Sequence, residues 1–545
     1  MKKVLYIPLD DRPCNYQYPL LLAEIVDELR MIAPPLSMMG RCKRPADIER
    51  IWNWLFEQAA DADYAILSVD TLVYGNIIQS RIHQRTNEEI DVCLKRFRQL
   101  KERCPHLSIE AFNLVARVAG YNDDFEDPAY WKDYGYRIWR YGWLKDCLHR
   151  GCAEKGEVEE LEALQAEIPA EYLADFLCRR EKDARVNRGS VDLVRDGIFS
   201  HLVVPKDDTA EYGYAAIDQR VLAGYIAEQN VLDRVMIYPG ADEVGSVLLT
   251  RVFHEIHRVS PRIYVRYSST LGPAVIPGYE DRPLQESIKS QITSCGGVMV
   301  DTAAESDLLF AVHSPGKMMQ ECGQQPHSDL SYSTHTSVHE LFRYMQYYHQ
   351  TFAKPIALSD VAYSNGADIQ MMRQAQQAGI LDILDAYGGW NTAENTNGMC
   401  LAHICLHAYG MKHGMTARQR RASQEFLARK VFEDYLFQAI LTARMAEEIV
   451  RRDPGRSPYN CADIEREVAA LGGRLLSQAV KDVFGGYFQG KKVSLSQFAL
   501  PWDRVHELAF AIRLDGDNEK AAKSDQDEQS EAPSICAYAV NAAGS

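Results

Sequence analysis

Short apolar runs alternate with longer amphipathic stretches from residue 1 to about residue 410. Each run is bounded by Pro, Gly or Asp, which favour the turns at which strands end. Runs of this kind lie at 4–9, 64–69, 107–115, 202–204, 235–238, 263–267, 308–312, 356–358 and 383–386. Their alternation with helical stretches predicts an α/β fold with a parallel sheet.

We expect these units to close into a (β/α)8 TIM-like barrel that occupies residues 1–410 and holds the active site. Nine runs exceed the eight strands of a closed barrel, so at least one run is not a barrel strand. The alternative architecture is an open, doubly wound sheet.

Residues 121–195 interrupt the alternation of apolar runs and amphipathic stretches. Their pattern predicts a helical insertion after the third run. The segment begins with seven aromatic residues between positions 130 and 143 and ends in a charged helical stretch. We expect the aromatic side chains to pack a small core of the insertion; the alternative is that they cover the barrel mouth. Residues 411–515 predict a mainly helical C-terminal domain, and the polar residues 516–545 predict a disordered tail.

The chain has 545 residues and a formal net charge of −16. This charge argues against nucleic acid or an anionic membrane as a partner, because both bind basic surfaces. The 13 cysteines are scattered and include no CxxC pair, which is typical of a reducing compartment. No apolar stretch approaches the roughly 18 residues of a membrane-spanning helix. We expect a cytoplasmic enzyme for a small molecule, with homo-oligomerisation left open.

Polar residues follow seven of the runs, at the ends where the strands of a barrel form one mouth. Turn formation explains any single cluster, because Asp, Asn and Gly favour turns. Seven clusters in phase with the strands favour a shared site. The candidate substrate-binding residues are Asp10, Asp11, Arg12, Asp70, Asn113, Lys206, Tyr238, Asp242, Glu243, Asp360, Asn365, Trp390, Asn391 and Asn395.

Adjacent acidic residues indicate general acid–base chemistry. Two carboxyls in one pocket do not both ionise at low cost, so one pKa rises and the pair divides into an acid and a base. Glycoside hydrolysis uses such a pair. The three adjacent pairs are Asp10–Asp11, Asp207–Asp208 and Asp242–Glu243.

The segments VVPKDDTAEYG, MIYPGADEVG, ALSDVAYSNGAD and NTAENTNGMC follow one another between residues 200 and 410. Their order resembles that of the O-GlcNAcase and hyaluronidase-type β-N-acetylglucosaminidase barrels. Over the whole chain, PLDDRP near the start and YPGADEVG in the middle resemble a bacterial family of unknown function, number 4127, which implies no activity.

The glucosaminidase resemblance implies a β-N-acetylhexosaminidase-like glycosidase that acts on small N-acetylated sugars by substrate-assisted retention. It implies that Asp207 orients the 2-acetamido group and that Asp208 is the general acid and then the base. It further implies that Tyr238 bonds the oxazoline, that Trp390 stacks on the sugar ring, and that Asp360, Asn365, Asn391 and Asn395 bind sugar hydroxyls. The adjacent cation of Lys206 departs from this scheme, because it lowers the pKa of the pair unless it points away or binds an acidic substrate group.

Three alternatives use the same residues differently. The acidic mouth suits Mg²⁺ or Mn²⁺ and therefore a metal-dependent hydrolase or lyase. A non-catalytic carbohydrate-binding barrel is the second, and Asp10 with Glu243 as acid and nucleophile is the third.

The sequence assigns no metal ligands and no cofactor. His335 and His339, like His403 and His407, have the i,i+4 spacing of a shared helix face, but neither pair has an evident third ligand. We interpret all four as packed or exposed histidines. Neither a GxGxxG nor a Walker A motif occurs.

Overall fold

The computed structural model describes residues 1–515, in which the chain divides into two compact units. The first unit comprises Met1–Asp11, Glu28–Ile256 and Tyr279–Ser294. The second comprises Arg12–Asp27, His257–Gly278 and, within the described chain, residues 295–515. The tail expected to be disordered, 516–545, lies outside the described residues.

Strands and helices alternate through most of both units. The strands are β1 Lys2–Ile7, β2 Leu29–Ile32, β3 Tyr64–Ser68, β4 Ser108–Phe112, β5 His201–Lys206, β6 Val235–Pro239, β7 Arg262–Tyr267, β8 Val298–Val300, β9 Leu308–His313, β10 Gln320–Glu321, β11 Ile356–Asp360, β12 Tyr363–Ser364, β13 Ala386–Gly388, β14 Tyr487–Phe488, β15 Lys491–Ala499 and β16 Ala509–Asp515. The α-helices are α1 Pro13–Ala23, α2 Ile48–Gln58, α3 Val69–Val73, α4 Ile77–Ile82, α5 Asn87–Arg103, α6 Trp131–His149, α7 Glu157–Glu167, α8 Ala170–Arg195, α9 Tyr214–Glu228, α10 Val244–His257, α11 Leu284–Ser294, α12 Ser331–Thr334, α13 Val338–Phe352, α14 Ile369–Gln377, α15 Ala393–His413, α16 Ala417–Lys430, α17 Thr442–Arg452 and α18 Glu465–Phe484.

The first unit is built on a six-stranded sheet of order β2-β1-β3-β4-β5-β6. All of its neighbouring strands are parallel, as in the pairing of Val4 with Tyr64 and of Tyr64 with Ser108. The inner strands are apolar along most of their length, which is expected when helices cover both faces of a parallel sheet.

The second unit contains a five-stranded parallel sheet of order β13-β11-β9-β7-β8. Its core continues into helices α13, α14, α16, α17 and α18 and into a segment of π-helix at Val431–Leu441. An antiparallel sheet of β14, β15 and β16 ends the described chain. The helices after residue 410 thus belong to the same unit as the second sheet, which differs from the predicted boundary.

The strands form two open sheets where the sequence pattern predicted one closed eight-stranded barrel. Each of the nine apolar runs overlaps a strand: five belong to the first sheet and four to the second. The pattern missed β2 and β8, which lie at sheet edges; β2 contains Arg30, and β8 has three residues. The open, doubly wound alternative therefore describes both sheets.

Helices α6, α7 and α8 occupy the segment predicted to be a helical insertion. Trp131 and Tyr141 of α6 are buried there with Phe176 of α8 and Tyr214 of α9. The aromatic side chains thus pack against one another and against the next helix of the same unit. Within residues 1–515, helices of a length and apolarity that would cross a bilayer do not occur.

Two helical glycines of the first unit provide a matched test of packing. A Cβ at Gly245 would lie 2.2 Å from the hydroxyl oxygen of Tyr6, whereas Gly224 on exposed α9 has open space around it. We expect Gly245→Ala to lower the free energy of unfolding by about 1 to 3 kcal/mol through overpacking. Gly224→Ala should raise it by about 0.5 to 1 kcal/mol through helix propensity. Urea unfolding of both variants measures the difference, and equal effects would contradict the packing described here.

Candidate active site

The carboxyl ends of the parallel strands of the first unit carry most of its predicted site residues. Asp10 and Asp11 follow β1, Asp70 follows β3, and Asn113 follows β4. The pair Asp207–Asp208 follows β5, and Asp242–Glu243 follows β6. Parallel neighbours end at the same sheet edge, so this edge collects side chains that are far apart in sequence. The strand order reverses between β1 and β3, where open sheets of this type commonly bind ligands.

Two arginines join the aspartate pair to further carboxylates. Arg81 of α4 donates to Asp207 at 2.6 Å and to Glu126 at 2.8 Å. Arg117, which follows β4, donates to Asp208 at 3.0 Å and also contacts Glu126 at 3.0 Å. A third carboxylate, that of Asp127, lies 3.2 Å from Arg117. Both guanidinium groups are buried, so these ion pairs are poorly screened by solvent.

The two aspartates occupy different environments. The Asp207 side chain is 8% exposed, whereas that of Asp208 is 31% exposed. Desolvation, together with the charge of Asp207, raises the pKa of Asp208 to about 6, although Arg117 and Arg81 oppose the shift. Asp208 also has a φ of 33°, in the left-handed region that is costly for a residue with a Cβ. Asp208 thus combines partial exposure to solvent with a raised pKa.

Lys206 directs its charge away from the aspartate pair. The buried ammonium group donates to Gln219 at 2.7 Å and forms an ion pair with Asp281. Burial and the charge of Arg282 lower the pKa of Lys206 to about 8 despite the carboxylate of Asp281. Lys206 is therefore engaged inside the protein, and the conflict raised by its place in the sequence does not arise.

Asp70 is a buried carboxyl at the switch point of the sheet. It accepts hydrogen bonds from the Asn113 side chain at 3.2 Å and from the backbone N–H of Leu114 at 3.0 Å. Burial raises the pKa of Asp70 to about 7 against these two donors. Thr71 donates to the carbonyls of Pro8 and Leu9 and so fixes Asp70 beside the end of β1.

Glu243 is a second buried carboxyl of the first unit. Its Oε2 accepts the N–H of Ala241 at 2.9 Å, and its Oε1 lies 3.4 Å from the Gln291 amide. Burial raises the pKa of Glu243 to about 8. Asp11 and Asp242 are each 4% exposed, and Asp10 and Tyr238 are fully buried. All five side chains are therefore buried at or beside the carboxyl ends of their strands.

The remaining predicted site residues belong to the second unit. Asp360 ends β11, and its Oδ2 accepts the N–H of Asp368 at 2.7 Å. Burial raises the pKa of Asp360 to about 7, while the neighbouring His313 lowers it. Arg12 stacks 4.4 Å from the ring centre of Trp502 and lies 3.7 Å from a carboxylate oxygen of Glu507.

Trp390 and the predicted asparagines of the second unit are also held by protein contacts. Trp390 is 3% exposed, and the Lys430 ammonium lies 5.4 Å from its ring centre. The backbone N–H of Asn365 donates to the carbonyl of Asn391 at 2.7 Å, and both residues have φ near 60°. Asn395 donates to Thr392 at 2.9 Å. The predicted set therefore divides between two sheet edges instead of lining one barrel mouth.

The sequence pattern missed the arginines and the histidine of these edges. Arg81 and Arg117 lie in segments without a distinctive motif, and each contacts carboxylates up to 126 residues away. His313 ends β9 and bonds to Asp368, 55 residues further on. A polar residue at the end of an apolar run was the available signal for His313.

One group of three potential metal ligands occurs among residues 1–515, formed by Glu110, His201 and Glu255. Arg251 lies within it, 2.5 Å from the His201 ring and 3.1 Å from Glu255. The guanidinium thus already supplies a positive charge there. His201 is the first residue of β5, so this group lies at the amino end of that strand, whereas Asp208 follows its carboxyl end.

The histidine pairs noted in the sequence do not form metal sites among the described residues. His403 and His407 are buried on α15, and both contact the hydroxyl of Ser423 on α16. His335 and His339 lie on either side of Ser337, outside a common helix. The contacts of His403 and His407 are therefore those of histidines packed between two helices.

A family model described as "Protein of unknown function (DUF4127)" matches residues 4–511. No curated protein matches the chain at a significant level. Among solved structures, the chain is similar to the crystal structure of an α,α-trehalose 6-phosphate synthase from Burkholderia multivorans at 10% identity. That similarity covers 84% of this chain and 99% of the other, with a TM-score of 0.16, and it carries no inference about fold or function.

The raised pKa of Glu243 makes stability depend on pH. An unfolded glutamate ionises near pH 4.5, whereas the folded carboxyl stays protonated up to about pH 8. Its contribution is therefore complete below pH 4.5 and is lost as the pH rises towards 8, by on the order of 5 kcal/mol. We expect Glu243→Gln, a neutral isostere, to remove much of this loss. Urea unfolding at pH 5 and pH 9 measures it, and equal pH dependence in both proteins would contradict the assignment.

Proposed function

We propose that the chain, which belongs to the DUF4127 family of proteins of unknown function, is a hydrolase of glycosidic bonds. Asp208 is its general acid and base. The observation that carries the proposal is the combination of exposure and proton affinity at this residue. Asp70 and Glu243 also hold protons near neutral pH, but their carboxyls are at most 1% exposed. Asp208 is the member of this group that reaches solvent.

General acid catalysis of glycoside cleavage needs a carboxylic acid that keeps its proton close to the operating pH. Burial and the neighbouring anion of Asp207 supply this condition at Asp208. The ion pair with Arg81 holds the Asp207 carboxylate, whose side chain is 8% exposed, beside Asp208. After the bond breaks, Asp208 is the base that activates the incoming water.

Further sugar units would bind along the loops at this sheet edge. Asp10, Asp11 and Asp70 mark the switch point between β1 and β3, two to three strand spacings from Asp208; their own side chains are buried, so the loops around them would contact the sugar. At about 4.8 Å per spacing this is on the order of 10 to 15 Å, which suits a disaccharide or a longer glycan. The negative charge of the chain favours a neutral sugar over an acidic one.

Small N-acetylated sugars are the substrate class we propose to test first. In a substrate-assisted mechanism the 2-acetamido oxygen attacks the anomeric carbon, so the protein supplies no nucleophile. The anion of Asp207, beside Asp208, would orient that acetamido group. This assignment rests on the order of sequence segments between residues 200 and 410. It predicts that the protein cleaves 4-nitrophenyl N-acetyl-β-glucosaminide faster than 4-nitrophenyl β-glucoside.

Asp208→Asn should lower kcat by on the order of 100- to 10,000-fold, because an amide neither donates the proton to the leaving group nor accepts one from water. Azide should partly restore turnover of the nitrophenyl substrate, because its leaving group needs no acid and azide attacks the intermediate without a general base. Asp207→Asn should also lower kcat, but without azide rescue. The matched control is Asp218→Asn, which removes a carboxylate that is paired with Arg180 in the same unit. Full activity of Asp208→Asn, or loss of wild-type activity with EDTA, would remove this mechanism in favour of another.

The pH profile tests the role of Arg117. General acid catalysis requires protonated Asp208, so kcat/KM of the wild type should fall as the pH rises above about 6. Arg117 stabilises the ionised form, so Arg117→Gln should move this alkaline limb up by about one pH unit or more. Arg117→Lys retains the charge and should leave the limb near its original position. If the alkaline limb of the profile does not move in Arg117→Gln, the ionisation that limits kcat/KM does not belong to Asp208.

A further inference from the structure

The second unit contains a hydrogen-bonded chain of serine, histidine and aspartate at its own carboxyl edge. Ser268 Oγ lies 3.0 Å from Nδ1 of His313, and Nε2 of His313 lies 3.0 Å from Oδ2 of Asp368. Ser268 follows β7, His313 ends β9, and Asp368 begins α14 shortly after β11. These three strands are neighbours in the sheet.

The chain of hydrogen bonds stands at the switch point of the second sheet. From β7 the polypeptide passes to β8 on one side, and then returns as β9 on the other side of β7. Connections that leave a sheet in opposite directions open a crevice at the carboxyl ends of the strands, where α/β proteins commonly bind ligands. Ser268 and His313 flank this position.

The position of Asp368 is fixed independently of the histidine. Its Oδ1 accepts the backbone N–H groups of Gln370 and Met371 and so caps α14. Its Oδ2 is therefore aimed at His313, where it fixes the tautomer that carries hydrogen on Nε2 and leaves Nδ1 to accept a proton from Ser268. A carboxylate, an imidazole and a hydroxyl in this order are the parts of an activated serine nucleophile.

Ser314 provides hydrogen-bond donors beside the nucleophile. Its backbone N–H donates to Ser268 Oγ at 3.1 Å. Its own hydroxyl is fully buried and has no hydrogen-bond partner among residues 1–515. A Cβ at Gly272 would lie 2.3 Å from that hydroxyl, so the loop after β7 closes tightly over it. An unpartnered buried donor next to a nucleophile suits the oxyanion of an acyl-transfer reaction.

We propose that Ser268, His313 and Asp368 form a second catalytic centre, which hydrolyses carboxylic esters of small acyl groups such as acetate. Ser268 Oγ bonds to the acyl carbon while its proton passes to His313 Nδ1. The bond to the alcohol oxygen then breaks, and that oxygen takes the proton from His313. Water adds to the acyl-serine, gives its proton to His313, and releases the carboxylic acid as Ser268 regains its proton. Ser268 is 5% exposed, which restricts the acyl group to a small one.

A similar chain of contacts in the same unit provides a matched control. Ser423 Oγ lies 2.8 Å from Nδ1 of His407, whose Nε2 lies 3.1 Å from Asp385. Ser423 lies within α16 and His407 within α15, so neither stands at the carboxyl end of a strand. Ser423 also contacts His403, whose pKa burial lowers to about 3. This arrangement packs two helices and should not react.

The test is covalent labelling with an alkyl fluorophosphonate, which bonds phosphorus to a nucleophilic serine and releases fluoride. We expect peptide mass spectrometry to find one adduct, on Ser268, in the wild type and in Ser423→Ala. Asp368→Asn keeps the Oδ1 cap of α14 but loses the acceptor for His313. It should slow labelling on the order of 100-fold or more, as should His313→Gln. The wild type should also release a burst of one nitrophenolate per chain from 4-nitrophenyl acetate.

The pH dependence of labelling is a second readout. Burial lowers the pKa of His313, but its bond to Asp368 and the charges of Asp360 and Asp368 outweigh this, so the pKa is raised. The group facing Asp360 from β13 is the hydroxyl of Tyr387, at 3.4 Å. Labelling should therefore rise with pH as His313 loses its proton. Absence of an adduct on Ser268 in the folded wild type, an adduct on Ser423 in its place, or unchanged rates in Asp368→Asn would overturn the proposal.

Discussion

The free energy of removing a carboxyl group from water shapes the functional edges of both sheets. A buried carboxylate is tolerated when a cation or several hydrogen-bond donors compensate it; otherwise it takes up a proton. Parallel strands that are apolar throughout leave their polar residues to the loops at their ends. Carboxyl groups therefore concentrate at one edge of each sheet, and each is compensated in its own way.

The first unit shows both solutions side by side. Arg81 and Arg117 compensate four carboxylates between them, so this cluster remains short of positive charge. Asp208 therefore keeps its proton to a higher pH than an exposed aspartate does. Among the described residues, Asp70 and Glu243 have hydrogen-bond donors but no cation at hydrogen-bonding distance, and their pKa values rise further. The pKa of a carboxyl at this edge is thus raised less where an arginine contacts it, as at Asp208, than where only neutral donors do.

Sequence pattern located the strands but not their arrangement. All nine apolar runs became strands because burial on both faces demands continuous apolar residues, which composition shows directly. The order of strands depends on edges, and the edge strands β2 and β8 are short or charged, so nothing in the pattern marked where one sheet ended. For the same reason Asp10, Asp70 and Asp208 could be placed at strand ends, while their separation from Asp360 and Asn391 into two units could not be foreseen. Arg81 had no signal in the pattern because its partner Asp207 is 126 residues away, whereas His313 had one, its place at the end of an apolar run.

Similar hydrogen-bond partners have different consequences in different surroundings, as the two serine–histidine–aspartate chains of the second unit show. At Ser423 the histidines lie on or against packed helices, where burial lowers the pKa of His403 and one carboxylate, that of Asp385, lies 3.1 Å from His407. At Ser268 two carboxyls face His313 and raise its pKa, while His313 in turn lowers that of Asp360. The ionisation of His313 therefore depends on the charges of Asp360 and Asp368. A parallel sheet brings such groups together at the ends of neighbouring strands, next to the crevice of its switch point, whereas Ser423, His403 and His407 are buried between packed helices. This difference makes the sheet edge the place where chemistry is expected.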